Sequence, residues 1–318
     1  MSFTGGQLAT KSIDGEERRA GVVHDLFPPE SLGARGRRLI LGLAWAMRPR
    51  RIAGVPATLA MVAAHFLERL GYGSLEEALP DPETALRRPD GLAGICTSLD
   101  PQTLMRAYAK GLYPWCHIGP MKWWAPRERM VLFFERFHIE KNLRRRLRNH
   151  HFRVTFDHDF AAVMRGCAEP RPGRPHLTWI TPPVMRAFQD LHELGHAHSV
   201  EVWDDEGELA GGLYGLAVGG VFFTESQFVR KRDASKVGFA TLNCHLQRWG
   251  FALDDGKSPT AHLSQLGFEL IPRARFNAIL AEHCAREVKV GRWRVDPALD
   301  VGAWDPAAPG WAHQAAGA

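Results

Sequence analysis

The sequence predicts an α+β protein in which strands adjoin one another and helices flank them. Two observations carry this. First, from His198 the chain reads HSVEVWDDEGELAGGLYGLAVGGVFFTESQF, three runs rich in Val, Leu, Phe and Tyr divided by DDEG and VGG, which is a β-meander with two turns. Second, helical periodicity lies on both sides of it. Val184, Phe188 and Leu191 recur at helical spacing behind the tandem Pro182 and Pro183, and ASKVGFATLNCHLQRWG follows the last strand. Strands that follow one another directly favour antiparallel pairing.

The remaining elements follow in order. Residues 1 to about 30 are Gly-rich and polar without periodicity, and are expected to be frayed. From Gly33 to Gly71 the chain reads as two helices, with Leu39, Leu41, Ala44 and Trp45 on one face of the first. Leu59, Val62, Ala63, Phe66 and Leu70 share a face of the second. Arginines flank the first helix, and the expectation is a small annex packed on the main body. LPDPETALRRPDG is a linker, PQTLMRAYAKG a helix with Gly111 as its C-cap, and LYPWCHIGPMKWWAPRER an aromatic loop. HIEKNLRRRLRN is a basic helix, FRVTFDHD a strand, DFAAVMRGCA a helix, FALDDGK a strand and SPTAHLSQLG a short helix. The expected division is residues 1–80 as start and helical extension, 81–165 as a small domain with the basic helix, 166–297 as the main domain, and 298–318 as a loose tail.

Composition narrows the classes. The 318 residues are 45% hydrophobic, enough for a sizeable core. A net charge of +5 is a modest bias towards anionic partners. No apolar run approaches the roughly 18 residues needed to span a bilayer; LILGLAWAM from Leu39 stops at RPRR. The N-terminus lacks the three-part pattern of a signal peptide, and the five cysteines are scattered, so reduced thiols in a cytoplasmic protein are expected.

His192, Glu193, Leu194, Gly195 and His196 spell H-E-x-x-H, which binds zinc only when both histidines lie on one face of a continuous helix. Gly195 stands where the helix should end, and β-alternation begins at once with His198, Val200 and Val202. The expected reading is a helix-to-strand joint and no metal.

Several stretches taken together, AYAKGLYPW, WWAPRER, TWIT, LHELGHAHSVEVW, GGLYGLAVGGVFFTESQF, ASK and LGFELIPR, resemble the leucyl/phenylalanyl-tRNA–protein transferases from about Pro89 to about Leu280. The resemblance implies a cytosolic, metal-free, cofactor-free enzyme with a catalytic domain similar to the acetyltransferase (GNAT) fold. Such enzymes move Leu, Phe or Met from aminoacyl-tRNA to the N-terminal amine of a protein that begins with Arg or Lys, marking it for N-degron proteolysis. Carried over, Trp115 and Trp179 would stack on the terminal adenosine, and Lys141, Arg144, Arg145 and Arg148 would meet phosphates. Glu225 and Asp255 match active-site carboxylates, with Asp255 expected to take the proton of the acceptor amine. Leu213, Gln227, Leu242 and Asp254 would line the pocket for the transferred side chain. Lys257 departs from the glutamine usual in that family and is expected to set its cation against Asp255. Two other classes stay open: an acyl-CoA acyltransferase on the same fold, and a non-catalytic RNA- or protein-binding member. The first needs a Gly-rich turn for the pyrophosphate, and VRKRDASK has none.

Overall fold

A computed structural model describes residues 26–308, apart from 68, 70–78, 172, 174 and 287–289. The frayed start, Leu70 and the end of the tail lie outside the described residues. Helices α1 (Leu32–Ala46), α2 (Pro49–Ile52) and α3 (Val55–Leu67) form the extension. They meet the rest of the chain through few positions. Gly42 backs onto His117 and Ile118, and Gly54 onto Pro89. Ala63 and Phe66, expected to face inward, are exposed.

A small antiparallel sheet of order β1-β3-β2 follows, from β1 (Leu92–Ile95), β2 (Tyr113–Trp115) and β3 (Lys122–Trp124), with α4 (Pro101–Ala109) between the first two. The expected aromatic loop is therefore partly strand: Tyr113 and Trp123 bury their rings, and pairing with β3 satisfies the backbone beside them. Asp100 caps α4 by accepting from Thr103 N, and Gly111 leaves it with φ of 79°.

The larger sheet has the order β10-β4-β9-β8-β7-β6-β5. Its strands are β4 (Glu128–Leu132), β5 (Arg153–Phe156), β6 (Ala197–Trp203), β7 (Leu209–Val218), β8 (Val221–Val229), β9 (Leu253–Asp255) and β10 (Glu269–Pro272). Thus β4 and β5, from the 81–165 stretch, belong to the same sheet as the meander. Every neighbouring pair is antiparallel except β8 and β9, which run parallel. This is an α+β architecture with antiparallel sheets. On one face α6 (Phe160–Ala168), α7 (Pro182–Glu193) and α10 (Arg273–His283) join α4 around Val163, Phe188, Tyr214 and Phe223. On the other, α5 (Lys141–Arg148), α8 (Ala234–Arg248) and α9 (Ala261–Gln265) pack around Leu213, Phe222, Phe239 and Leu242, with Trp293 and Trp304 of the C-terminal segment. β10 and α10 carry no expectation from sequence periodicity. Leu270 is exposed on the edge strand, and the helix sets only Phe276 and Leu280 into the core.

The H-E-x-x-H stretch is the end of α7. Gly195, with φ of 80°, closes the helix: its N–H donates to His192 O at 3.0 Å, and that of His196 to Leu191 O at 2.9 Å, which is the Schellman pattern. His196 lies past the cap. His192 is buried and stacked on Phe160, with Nδ1 bonded to Ala197 O at 2.7 Å and Nε2 against Arg292. A Cβ on Gly195 would also stand 2.4 Å from Gly291 N. Gly195→Ala is accordingly expected to destabilise the fold by about 2 kcal/mol, through both the positive φ and this contact, measured by urea unfolding.

Candidate active site

Where β8 and β9 part, the sheet sets several charged side chains together. The parallel pairing ends at Phe223 opposite Asp255, while β8 runs on to Val229. Just past that point β8 carries one extra residue. Tyr214 pairs with Ser226 and Gly215 with Thr224, leaving Glu225 as a bulge. The bulge needs Gly215, because a Cβ there would stand 2.5 Å from both the Phe222 ring and Phe223 O.

Glu225 is held from two sides. Tyr108 of α4 donates its hydroxyl to Oε1 at 2.5 Å, and Lys257 Nζ lies 2.7 Å from the same oxygen. The other oxygen, Oε2, is buried without a hydrogen-bond partner among the described residues, and so is the Tyr214 hydroxyl. Burial, then the Glu225 charge, push the pKa values of Tyr108 and Tyr214 well above the ordinary tyrosine range, so both hydroxyls stay protonated donors. Lys257 has φ of 62° just past the end of β9. Its ammonium also donates to Thr224 O at 2.7 Å, a carbonyl on β8 next to the divergence.

Asp255 has different partners. Arg129 of β4 holds it with two hydrogen bonds, Nε to Oδ1 at 3.2 Å and Nη2 to Oδ2, and donates Nη1 to Gly111 O at 2.8 Å. The Lys257 backbone N–H gives Oδ1 another bond at 2.9 Å. Burial opposes the Arg129 charge, yet the Asp255 carboxylate outweighs it and raises the Arg129 pKa. The expectations for Asp255 and Lys257 are therefore revised. Asp255 has both oxygens occupied, which leaves it poorly placed to take a proton, and the Lys257 cation meets Glu225 instead. Arg129 and Tyr108 were missed as site residues. They stand within WWAPRER and AYAKG, where neither periodicity nor spacing marks them as polar groups of a buried centre.

The residues expected to line a side-chain pocket divide across the sheet. Leu213 and Leu242 are fully buried in the cluster under α8, with Phe222, on the face away from Tyr108. Asp254 alternates to that side as well and accepts from Thr224 Oγ1 at 2.8 Å. Its second oxygen and Gln227 Oε1 are buried and unpartnered among the described residues. Burial raises the Asp254 pKa to about 7. Trp115 and Trp179 are both partly buried against the cluster that holds Tyr108 and Tyr214. Trp115 takes edge contacts from Trp124 and His117 and a tilted one from Trp45 of α1.

On α5 the basic residues have unequal duties. Arg144 reaches Gly302 O at 3.2 Å and Trp304 O at 2.5 Å, and Arg148 lies 3.4 Å from Gly302 O. Lys141 and Arg145 are exposed and pair with no carboxylate among the described residues. Arg145 and Arg146 line a cleft of about 140 Å³ with Asn149 and His151. A larger concavity of about 560 Å³ lies at the far edge of the sheet, between β5 and Arg292–Val295, away from the carboxylates.

Asp254 gives a pH signature. In the unfolded chain it ionises near 3.9; in the folded chain it keeps its proton up to about 7. The folded state binds the extra proton between these values, so this group's contribution to stability is present at low pH, falls as pH rises from about 4 to 7, and is level above. Asp254→Asn retains an acceptor for Thr224 and should flatten that decline, whose slope is at most about 1.4 kcal/mol per pH unit. Urea unfolding of both proteins across this range measures it.

Comparison with known proteins gives the family. The family model described as leucyl/phenylalanyl-tRNA protein transferase matches residues 131–281, and the model of its N-terminal domain matches 97–127. Curated relatives called leucyl/phenylalanyl-tRNA–protein transferase include one from Stutzerimonas stutzeri, 50% identical over 218 residues, 68% of this chain and 95% of the relative. Another, from Azotobacter vinelandii, is 49% identical over 65% of this chain and 91% of its own length. A third, from Aromatoleum aromaticum, is 48% identical over 70% and 93%. With half of its matched residues identical to proteins that it covers almost end to end, and with the matched region containing Glu225, Asp255 and Lys257, the chain belongs to the leucyl/phenylalanyl-tRNA–protein transferase family.

Proposed function

We propose that the chain transfers an amino acid from aminoacyl-tRNA to the N-terminal amine of an acceptor protein, with Glu225 at the centre of the reaction. One observation carries the assignment of Glu225. A bulge turns it into the notch where β8 leaves β9, one oxygen is fixed by Tyr108 and Lys257, and the other is unpartnered among the described residues. The free oxygen is placed to hold the acceptor's ammonium and receive its proton. The amine then attacks the ester carbonyl and the C–N bond forms; as the bond to the ribose oxygen breaks, the attacking nitrogen gives up a second proton, that oxygen leaves protonated as the ribose hydroxyl, and Glu225 returns its own proton to water. An activated ester and an amine with a pKa near 7.7 to 8.0 need mostly positioning. Asp255 acts through Arg129, which keeps Gly111 and the β2 segment in place.

In this reading Trp115 and Trp179 stack on the terminal adenosine, each stack contributing roughly 1 to 3 kcal/mol. Lys141, Arg145 and Arg148 meet phosphates. The small sheet of β1 to β3 acts as a small domain and the seven-stranded sheet, which takes β4 and β5 from the 81–165 stretch, as an acetyltransferase-like (GNAT) catalytic domain working in the cytoplasm, with 1–80 as an addition and Trp304 of the expected loose tail packed into that domain's core. The parallel β8–β9 pair that diverges beside the reacting groups supports that likeness. Acceptors beginning with Arg or Lys, and an N-degron role, follow the family resemblance. The acyl-CoA alternative gains nothing from the start of α8, where Asp233 stands as a carboxylate paired with Arg146 and where no glycine occurs from Val229 to Lys236.

Purified chain, a panel of charged tRNAs and peptides beginning with Arg, Lys, Asp or Glu form the test. Transfer to at least one peptide is expected, with Glu225→Gln lowering kcat/KM about a hundredfold or more. Transfer from no charged tRNA overturns the reading, and full activity of Glu225→Gln overturns the mechanism alone. For the basic helix, Lys141→Ala with Arg145→Ala should weaken tRNA binding and flatten its salt dependence by about 0.7 to 0.9 log units per lost contact, while leaving unfolding unchanged. Arg144→Ala should also destabilise the fold, because it releases two carbonyls of the C-terminal segment.

A further inference from the structure

Most of the large apolar side chains left exposed among the described residues fall between 32 and 67, ahead of the family match. They are ordered. On α1, Leu32, Leu39, Ile40, Leu43 and Met47 recur at intervals that place them along one face, and each is at least half exposed. On α3, Leu59, Phe66 and Leu67 repeat the pattern. The opposite face of α1 is the seated one, with Gly42 against His117 and Trp45 against Trp115. The apolar stripes thus point away from the body. Charge accompanies them. Residues 32–67 contain no Asp or Glu, and arginines stand at both ends of α1. Arg38 pairs with Glu30 and Arg51 stacks on Trp45. Arg35, Arg37, Arg48 and Arg50 are exposed and pair with no carboxylate among the described residues.

We propose that α1 to α3 dock the protein on an anionic lipid surface, the apolar stripes entering the interface and the arginines meeting lipid phosphates. Three kinds of occupant compete, and the two features together decide between them. RNA answers the arginines but offers nothing to the exposed Leu, Ile, Met and Phe side chains. A second copy answers the apolar stripe, but sets an arginine-rich segment without acidic residues against its like. A bilayer surface with acidic headgroups answers both, since interfacial helices combine apolar burial with attraction of Lys or Arg to anionic lipids. Among the described residues no helix is long and apolar enough to cross a membrane, and the docking proposed is of helices lying in the interface. The seat of α1 beside Trp115 means that docking would hold the proposed adenosine site at the lipid surface. The proposal stands independently of the transfer reading.

The test is flotation of the full chain with vesicles of phosphatidylcholine containing phosphatidylglycerol, against phosphatidylcholine alone. Flotation is expected with the anionic vesicles and should weaken as salt rises. Leu39→Asp with Leu43→Asp should reduce it about tenfold or more. Replacing Arg35, Arg37, Arg48 and Arg50 by Gln should do the same and abolish the salt dependence. Circular dichroism checks that each variant is folded, and the second variant decides if the first is not. Absence of flotation with anionic vesicles, or flotation unchanged in both variants, overturns the proposal. So does a dimer that the leucine pair dissolves, or a loss of tRNA affinity in that pair, when no flotation accompanies it.

Discussion

The ion pair between Arg129 and Asp255 is the constraint on which the centre of the molecule depends. Both side chains are almost wholly withdrawn from water. An isolated charge in that position would cost several kcal/mol, and the pair is tolerable because its geometry is forked and its remaining hydrogen-bonding capacity is used. Asp255 takes an additional N–H from Lys257, and Arg129 gives its remaining arm to Gly111. The guanidinium also lies over the rings of Tyr113 and Phe276. One interaction thus joins β4 to β9, closes the turn after α4, and fixes the segment from which Lys257 reaches Glu225.

Around it the charges are arranged in two pairs on one side of the sheet. Arg129 faces Asp255 and Lys257 faces Glu225. The two pairs differ in how completely they are closed. Asp255 has both oxygens occupied, whereas Glu225 keeps an oxygen, and Tyr214 its hydroxyl, unpartnered among the described residues. In the proposed reaction that difference separates a positioning role for Asp255 from contact with substrate for Glu225. Asp254, one residue earlier, belongs to the other face and to a different balance: burial keeps its carboxyl neutral to about pH 7.

Much of this was legible in the sequence and some was not, for reasons that are physical. The meander, the helices on either side and the helix stop at Gly195 are local features, written in periodicity and turn residues, and the chain folds as they indicate. The bulge at Glu225 is not local. It follows from the register between two strands, and GGLYG signals only that something approaches closely. The partners of Asp255 and Lys257 were likewise hidden, because Arg129 lies 126 positions from Asp255 and joins it only through the order of strands in the sheet. For α3, periodicity identified an apolar face but not its direction, since a face turned to the core and a face left open have the same spacing.

The place of β4 in the sheet has a consequence for how the molecule comes into being. Its neighbours on both sides, β9 and β10, are made late, Val131 pairing with Asp255 and with Glu269. During synthesis β4 therefore emerges with both edges unsatisfied, and Arg129 emerges as a cation with no counterion. Non-local pairing of this kind is slow to form and leaves strand edges open meanwhile. The carboxylate that anchors Arg129 and the lysine that holds Glu225 arrive together, from residues 255 and 257. The cluster of paired charges is assembled by the same event that closes the sheet, so an unfinished chain carries the tryptophans and the basic helix before it has either pair.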